Sequence, residues 1–199
     1  MSPVDRLRAE PRMRGLIERL ESHNPTEVHD DAARRAAVAI VFRMGAGDEP
    51  EVFFIQRAEY EGDPWSGHIA FPGGREEKDD ETLADTAIRE VFEETGIDLG
   101  DAELVAALDD LHPRHVRLPA VVVRPFVFLA GDVPEPVMSS EVADCFWVPL
   151  SALLDRSVWK DARVLAGDTE ISRIAFHHRG YVIWGMTERI LSGLLALAD

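Results

Sequence analysis

The chain has 199 residues, 46% of them hydrophobic, with 21 Lys and Arg against 37 Asp and Glu and a formal net charge of −16. That is apolar material for one domain with a sizeable core, or one domain plus an extension, and it excludes a disordered chain. The acidic balance argues against a nucleic-acid-binding surface or an anionic membrane partner, both of which need basic patches, so an anionic ligand here requires cations to invert the local field.

Residues 1–24 place Leu7, Met13, Leu16, Ile17 and Leu20 among arginines and glutamates, which predicts an amphipathic helix ending near His23-Asn24-Pro25. Residues 1–33 are read as a helical extension, packed on the body or on a second subunit in a homodimer, and residues 34–199 as the main domain. From Arg35 to Met44 an apolar run predicts a buried strand, and after a turn at Gly45 to Asp48, Val52 to Gln56 is its hairpin partner. Arg57 follows, then a loop to Gly67 that carries Tyr60, Pro64 and Trp65.

Pro72-Gly73-Gly74-Arg75 forms a loop whose backbone can approach a ligand without a side chain in the way. A helix follows, N-capped by Asp79 or Asp80 and closed by Gly96, with Leu83, Ala84, Ala87, Ile88, Val91 and Phe92 as its core face. Glu90, Glu93 and Glu94 lie at i, i+3 and i+4, on one helical face. Such like charges repel by roughly 0.2–0.5 kcal/mol per exposed pair, and a divalent cation reverses that sign.

Glu103 to Leu108 predicts a strand leading into a loop with His112, Arg114 and His115, read as solvent-exposed. Ala120 to Leu129 predicts a long strand with Pro125 at a bend or edge. Glu141 precedes a strand ending Phe146-Trp147-Val148-Pro149-Leu150, and a short helix runs from Ser151 to Leu154. Val158 to Leu165 and Ile171 to Phe176 form a hairpin joined at Gly167-Asp168, and Tyr181 to Thr187 opens a final amphipathic helix. Cys145 is the one cysteine, so no intrachain disulfide forms; between Asp144 and Phe146-Trp147 it reads as a buried apolar residue. His177-His178 lacks partners at zinc spacing. No window reaches the ~18–20 apolar residues of a membrane span, and the cytoplasm is the expected compartment.

The stretch Gly74, Glu81, Arg89-Glu90-Val91-Phe92-Glu93-Glu94-Thr95-Gly96-Ile97 resembles the Nudix box. That pattern is a glycine, five residues, a glutamate, seven residues, then Arg-Glu-apolar-any-Glu-Glu-any-Gly-apolar. Its second half matches at every fixed position. Counting back from Arg89 puts the box glycine at Arg75 while the glycine stands at Gly74, so the loop is one residue longer. The resemblance covers roughly residues 34–197 and implies an α+β domain, a Nudix-like α/β/α sandwich with a mixed β-sheet. It implies hydrolysis of a nucleoside diphosphate-linked substrate, with Glu90, Glu93 and Glu94 as metal ligands, a backbone carbonyl near Gly74 as another, and Glu141 as a fourth acid. Oxygen-only ligands favour Mg²⁺ or Mn²⁺, and Arg89 is expected to hold the array by pairing with Glu81.

Upstream, Phe53 to Ala58 with Arg57, then Gly67 to Gly74, is similar to the signature of the coenzyme A pyrophosphatase-like subgroup, as is Ile183-Trp184-Gly185-Met186-Thr187. The loop between these stretches is one residue longer than that signature and lacks its internal arginine. Arg57, Gly73, Gly74 and Arg75 are the expected substrate-binding residues. The alternatives are a Nudix hydrolase for ADP-ribose, NADH or nucleoside triphosphates, and a non-catalytic nucleotide-binding module, although such a module is expected to lose box acids that this chain keeps.

Overall fold

The computed structural model describes residues 1–61, 65–113, 120–166 and 169–198. Its centre is β1 (Arg34–Met44), an apolar run buried on both faces, as a strand between two layers must be. It pairs antiparallel with β2 (Pro50–Arg57) and β4 (Gly73–Arg75), and parallel with β6 (Val121–Leu129). The strand order is β3-β2-β1-β6-β5, with β3 at Ile69–Ala70 and β5 at Glu103–Ala107; β7 (Val142–Pro149) adds to β2. One parallel pair among antiparallel ones makes the sheet mixed.

The period of two divides β1 between two cores. Ala37, Ala39 and Val41, with Phe53 and Ile55 of β2, face Leu83, Ala87 and Val91 of helix α3 (Leu83–Thr95). The small alanines let that helix sit close to the sheet. Ala36, Val38, Ile40 and Phe42 face the other way, onto α1 (Pro3–Ala9), α2 (Pro11–Ser22) and, after the short α4 (Leu150–Leu154), α5 (Gly185–Ala196). The result is an α/β/α sandwich. A second sheet, β8 (Trp159–Ala166), β9 (Thr169–His178) and β10 (Tyr181–Ile183), precedes α5.

Several local expectations change. The single helix over residues 1–24 is two, because Pro11 has no N–H to continue α1; Glu10 ends α1 and its carboxylate caps α2 by accepting from Met13 N at 2.8 Å. Both helices pack on the body, with Leu7, Met13, Leu16 and Leu20 in one apolar cluster with β1. Helix α3 is capped by Thr82, not Asp79 or Asp80: Thr82 Oγ1 accepts from Asp85 N while the Asp85 carboxylate accepts from Thr82 N, a reciprocal box. Phe92 is 56% exposed rather than core, since the narrow stripe of Leu83, Ala87 and Val91 already meets the sheet. Pro125 lies in an interior strand opposite Val38, not at an edge, and its carbonyl accepts from Leu108 N just past the end of β5. Cys145 is only half-buried, with its thiol pushed up mainly by burial. His112 is partly buried beside Asp30 at 3.5 Å; Arg114, His115 and the Gly167-Asp168 turn lie outside the described residues. No described helix is long and apolar enough to cross a membrane.

Candidate active site

Strand β4 is wedged between β1 and α3, and glycine is what allows it. A Cβ on Gly73, at φ +154°, would overlap the Ala37 carbonyl and stand 2.6 Å from Val38 Cα. A Cβ on Gly74 would run into the Glu90 carboxylate, 2.6 Å from its Oε2. The close approach lets Gly73 N donate to Glu94 Oε2 at 3.0 Å.

Arg89 organises the helix acids. Its Nε and Nη2 donate to both oxygens of Asp80 at 3.0 Å, Nη1 donates to Glu90 at 2.9 Å and to Glu93 at 3.1 Å, and Nη2 also donates to the Arg75 carbonyl at 2.9 Å. All five guanidinium N–H groups are thereby engaged, in a fork that lysine cannot reproduce. The Arg89 hydrogen bonds hold Asp80 well below the usual carboxylate range, with burial opposing them. The partner is therefore Asp80 and not Glu81, which is exposed. Thr86 Oγ1 and Glu77 N also donate to Asp80, at 2.8 Å and 2.9 Å. Gly74 and Asp80 keep the glycine-to-acid spacing of the Nudix box, so the extra residue falls between this acid and Arg89 rather than in the glycine loop.

The opposite wall comes from the segment before β7. Val137 N donates to Thr95 O at 2.8 Å and Ser139 N to Glu94 O at 2.9 Å, using carbonyls that the end of α3 leaves open. Ala58 N, just beyond β2, donates to Glu141 O at 2.8 Å. Glu90, Glu93 and Glu94 thus share one cleft with Ser139, Ser140 and Glu141. Arg57 ends β2 opposite Val142, at a register shift, and its charge draws Glu94 down. Arg75 contributes its carbonyl to Arg89 while the residue itself is exposed. Asp80, Ser139 and Ser140 are the site residues that the sequence reading missed: counting on from Gly74 reaches Asp80 while counting back from Arg89 reaches Glu81, and two serines before an acid are an ordinary loop.

The cleft is short of positive charge. Glu94 is 4% exposed, and its pKa is pushed up to about 8, first by burial and then by the charges of Glu90 and Glu141, against the Gly73 N–H and Arg57. Burial also raises Glu90, opposed by Arg89 and reinforced by Glu93 and Glu141. Among the described residues no three His, Cys, Asp or Glu side chains stand in a ready-made cation cage. Arg89 draws Glu90 and Glu93 one way and the Gly73 N–H holds Glu94 another, so the acids line the cleft without converging.

A pH dependence follows. Between its ordinary value of 4.5 and about 8, Glu94 binds a proton in the folded state that the unfolded chain has released, so the metal-free protein loses stability as pH rises through that window. Asp80 acts in the opposite sense, and only in acid. The melting temperature of EDTA-treated protein should be lower at pH 8 than at pH 6, and Glu94→Gln should flatten that slope; equal slopes in the two proteins would refute the assignment.

A mixed sheet between helical layers, with a glycine strand set against the acids of one helix, is the arrangement of a Nudix domain. Residues 33–167 match the NUDIX domain, and the chain belongs to that family. It is 30% identical over 177 residues to an uncharacterized Nudix hydrolase, NudL, of Yersinia pestis, covering 85% of this chain and 83% of the relative. It is 32% identical over 158 residues to an uncharacterized protein of Schizosaccharomyces pombe, covering 69% of this chain but only about half of that protein (48%). A NUDIX hydrolase from Alicyclobacillus acidocaldarius shares the fold, with TM-score 0.55, 20% identity, and 87% and 95% of the two chains covered. A MutT/nudix family protein from Enterococcus faecalis does so with TM-score 0.55, 17% identity, and 98% and 73% covered. Nudix hydrolases generally use divalent metal ions.

Proposed function

We propose that this Nudix hydrolase cleaves the diphosphate of coenzyme A or an acyl-coenzyme A, giving 3′,5′-ADP and a 4′-phosphopantetheine product. What supports the reading is that the stretches resembling the coenzyme A subgroup lie together in space. Thr187 Oγ1 donates to Ile69 O at 3.0 Å, and His68 and Trp184 meet with ring centroids 4.6 Å apart. Arg57 N donates to His68 O at 3.0 Å, which joins the arginine to the same cluster beside Glu94.

The donor set fits Mg²⁺ or Mn²⁺. Glu90, Glu93 and Glu94 offer oxygen alone, and the raised Glu90 and Glu94 mark a charge deficit that a cation removes, whereas Gly74, paired with Ala37, turns its carbonyl toward β1 and away from the acids. When bound, such ions neutralise charge growing on the leaving phosphate and acidify a water for attack on phosphorus. Glu141, across the cleft, takes the proton from the attacking water as the P–O bond to the leaving phosphate breaks. Arg89 holds Glu90 and Glu93 in place, and Arg57 meets the anionic substrate.

Under one metal condition, kcat/KM for coenzyme A should exceed that for dephospho-coenzyme A, ADP-ribose and NADH at least tenfold, which is about 1.4 kcal/mol and within the reach of one charged contact. If ADP-ribose or NADH leads by that margin, the coenzyme A reading falls and the diphosphate hydrolase remains. Either metal at a hundredfold excess over its Kd should stabilise the fold by about 2.7 kcal/mol. That gain should vanish in the Glu90→Gln/Glu94→Gln double variant, and an equal gain there would place the metal elsewhere.

A further inference from the structure

The loop after β2 presents an aromatic ring that the core does not explain. Tyr60 is 48% exposed, yet it is tied at both ends. Its hydroxyl donates to Ser140 O at 2.8 Å; its N–H donates to Ser66 Oγ at 2.6 Å, and the Ser66 hydroxyl donates back to the Tyr60 carbonyl at 2.8 Å. Ser140 lines the acidic cleft and is followed by Glu141. The ring is therefore fixed at the rim of the cleft, on the wall that faces α3. Holding a side chain while half of it stays in water costs rotamer freedom for the packing of only its buried half, and what remains is an apolar ring face held toward solvent.

We propose that Tyr60 is the platform on which the heterocyclic base of the nucleotide substrate stacks, while the diphosphate lies over Glu90, Glu93, Glu94 and Glu141. This rests on the diphosphate-hydrolase reading of the cleft and adds the place where the other end of the substrate binds. Only a ribose and one ester separate base from diphosphate, and only one peptide unit separates the Tyr60 anchor from Glu141. The base is neutral, so it needs no cation on a surface that carries few, and a ring face accepts any base because every base has a π-face. Phe92 is also exposed, but it lies about 200° around α3 from Glu90, at 100° per residue, and so on another side of the helix.

The test compares wild type with Tyr60→Leu, Tyr60→Phe and Phe92→Leu, each first shown to melt like wild type. Binding of AMP and of ribose 5-phosphate is measured by titration calorimetry with Mn²⁺ present, alongside KM and kcat for NADH. Tyr60→Leu should weaken AMP and raise KM about tenfold with kcat within about twofold, and should leave ribose 5-phosphate unchanged. Tyr60→Phe keeps the ring but frees it from Ser140, and should fall between Tyr60→Leu and wild type. Phe92→Leu should match wild type. Unchanged AMP affinity in Tyr60→Leu overturns the proposal, as does an equal loss for ribose 5-phosphate, which would mean that the loop is merely structural. A wild-type protein that binds AMP through Tyr60 but hydrolyses no diphosphate would overturn the proposed function and leave the platform standing.

Discussion

Glu94→Gln should lower turnover at least about a hundredfold while the metal-free protein melts no lower than wild type. Loss of function and retention of stability separate here because the same carboxylate serves the first and burdens the second. At 4% exposure it is taken out of water beside Glu90 and Glu141, and its raised pKa records that cost. Glutamine keeps the shape and an oxygen to accept from Gly73 N, but removes the charge that would hold a cation. Glu93→Gln should also lower turnover by orders of magnitude, with little change in melting, because its side chain is 57% exposed and its i,i+4 pair with Arg89 is worth only about 0.3–0.5 kcal/mol. If both variants hydrolyse the best substrate at near-normal rates, the site is misplaced.

Alanine at Gly73 and at Gly74 should fail in different ways. At Gly73 the added Cβ meets the backbone of Ala37 and Val38, which cannot yield unless β4 parts from β1. The cost should be about 3 kcal/mol or more, which lowers the melting temperature by roughly 6–12 °C in a domain of this size. At Gly74 the Cβ meets only the Glu90 carboxylate, the far end of a side chain that can swing aside. Stability should change by about 1 kcal/mol or less, but Glu90 leaves Arg89 and the cleft, so turnover collapses. Paired thermal melts and kcat measurements decide it. A Gly74→Ala protein that melts below Gly73→Ala would contradict the wedged strand.

The sequence by itself determined the large elements and the acid face of the cleft. Periodicity and composition act over short distances: Val38 to Phe42 reads as a strand buried on both sides, and Glu90, Glu93 and Glu94 share a face because helical geometry alone dictates it. The glycines before them signalled a close backbone approach. Tertiary structure decided which groups meet. Asp80 rather than Glu81 receives Arg89 because Glu77 N and Thr86 Oγ1 also donate to the Asp80 carboxylate and hold it against the helix, contacts that appear only once the loop has folded. Glu141 joins the helix acids because main-chain bonds from Ala58 and Ser139 pull two distant segments onto one cleft. The elevated Glu94 likewise depends on desolvation by residues far apart in the chain, and burial becomes visible only when the sheet and helix have packed.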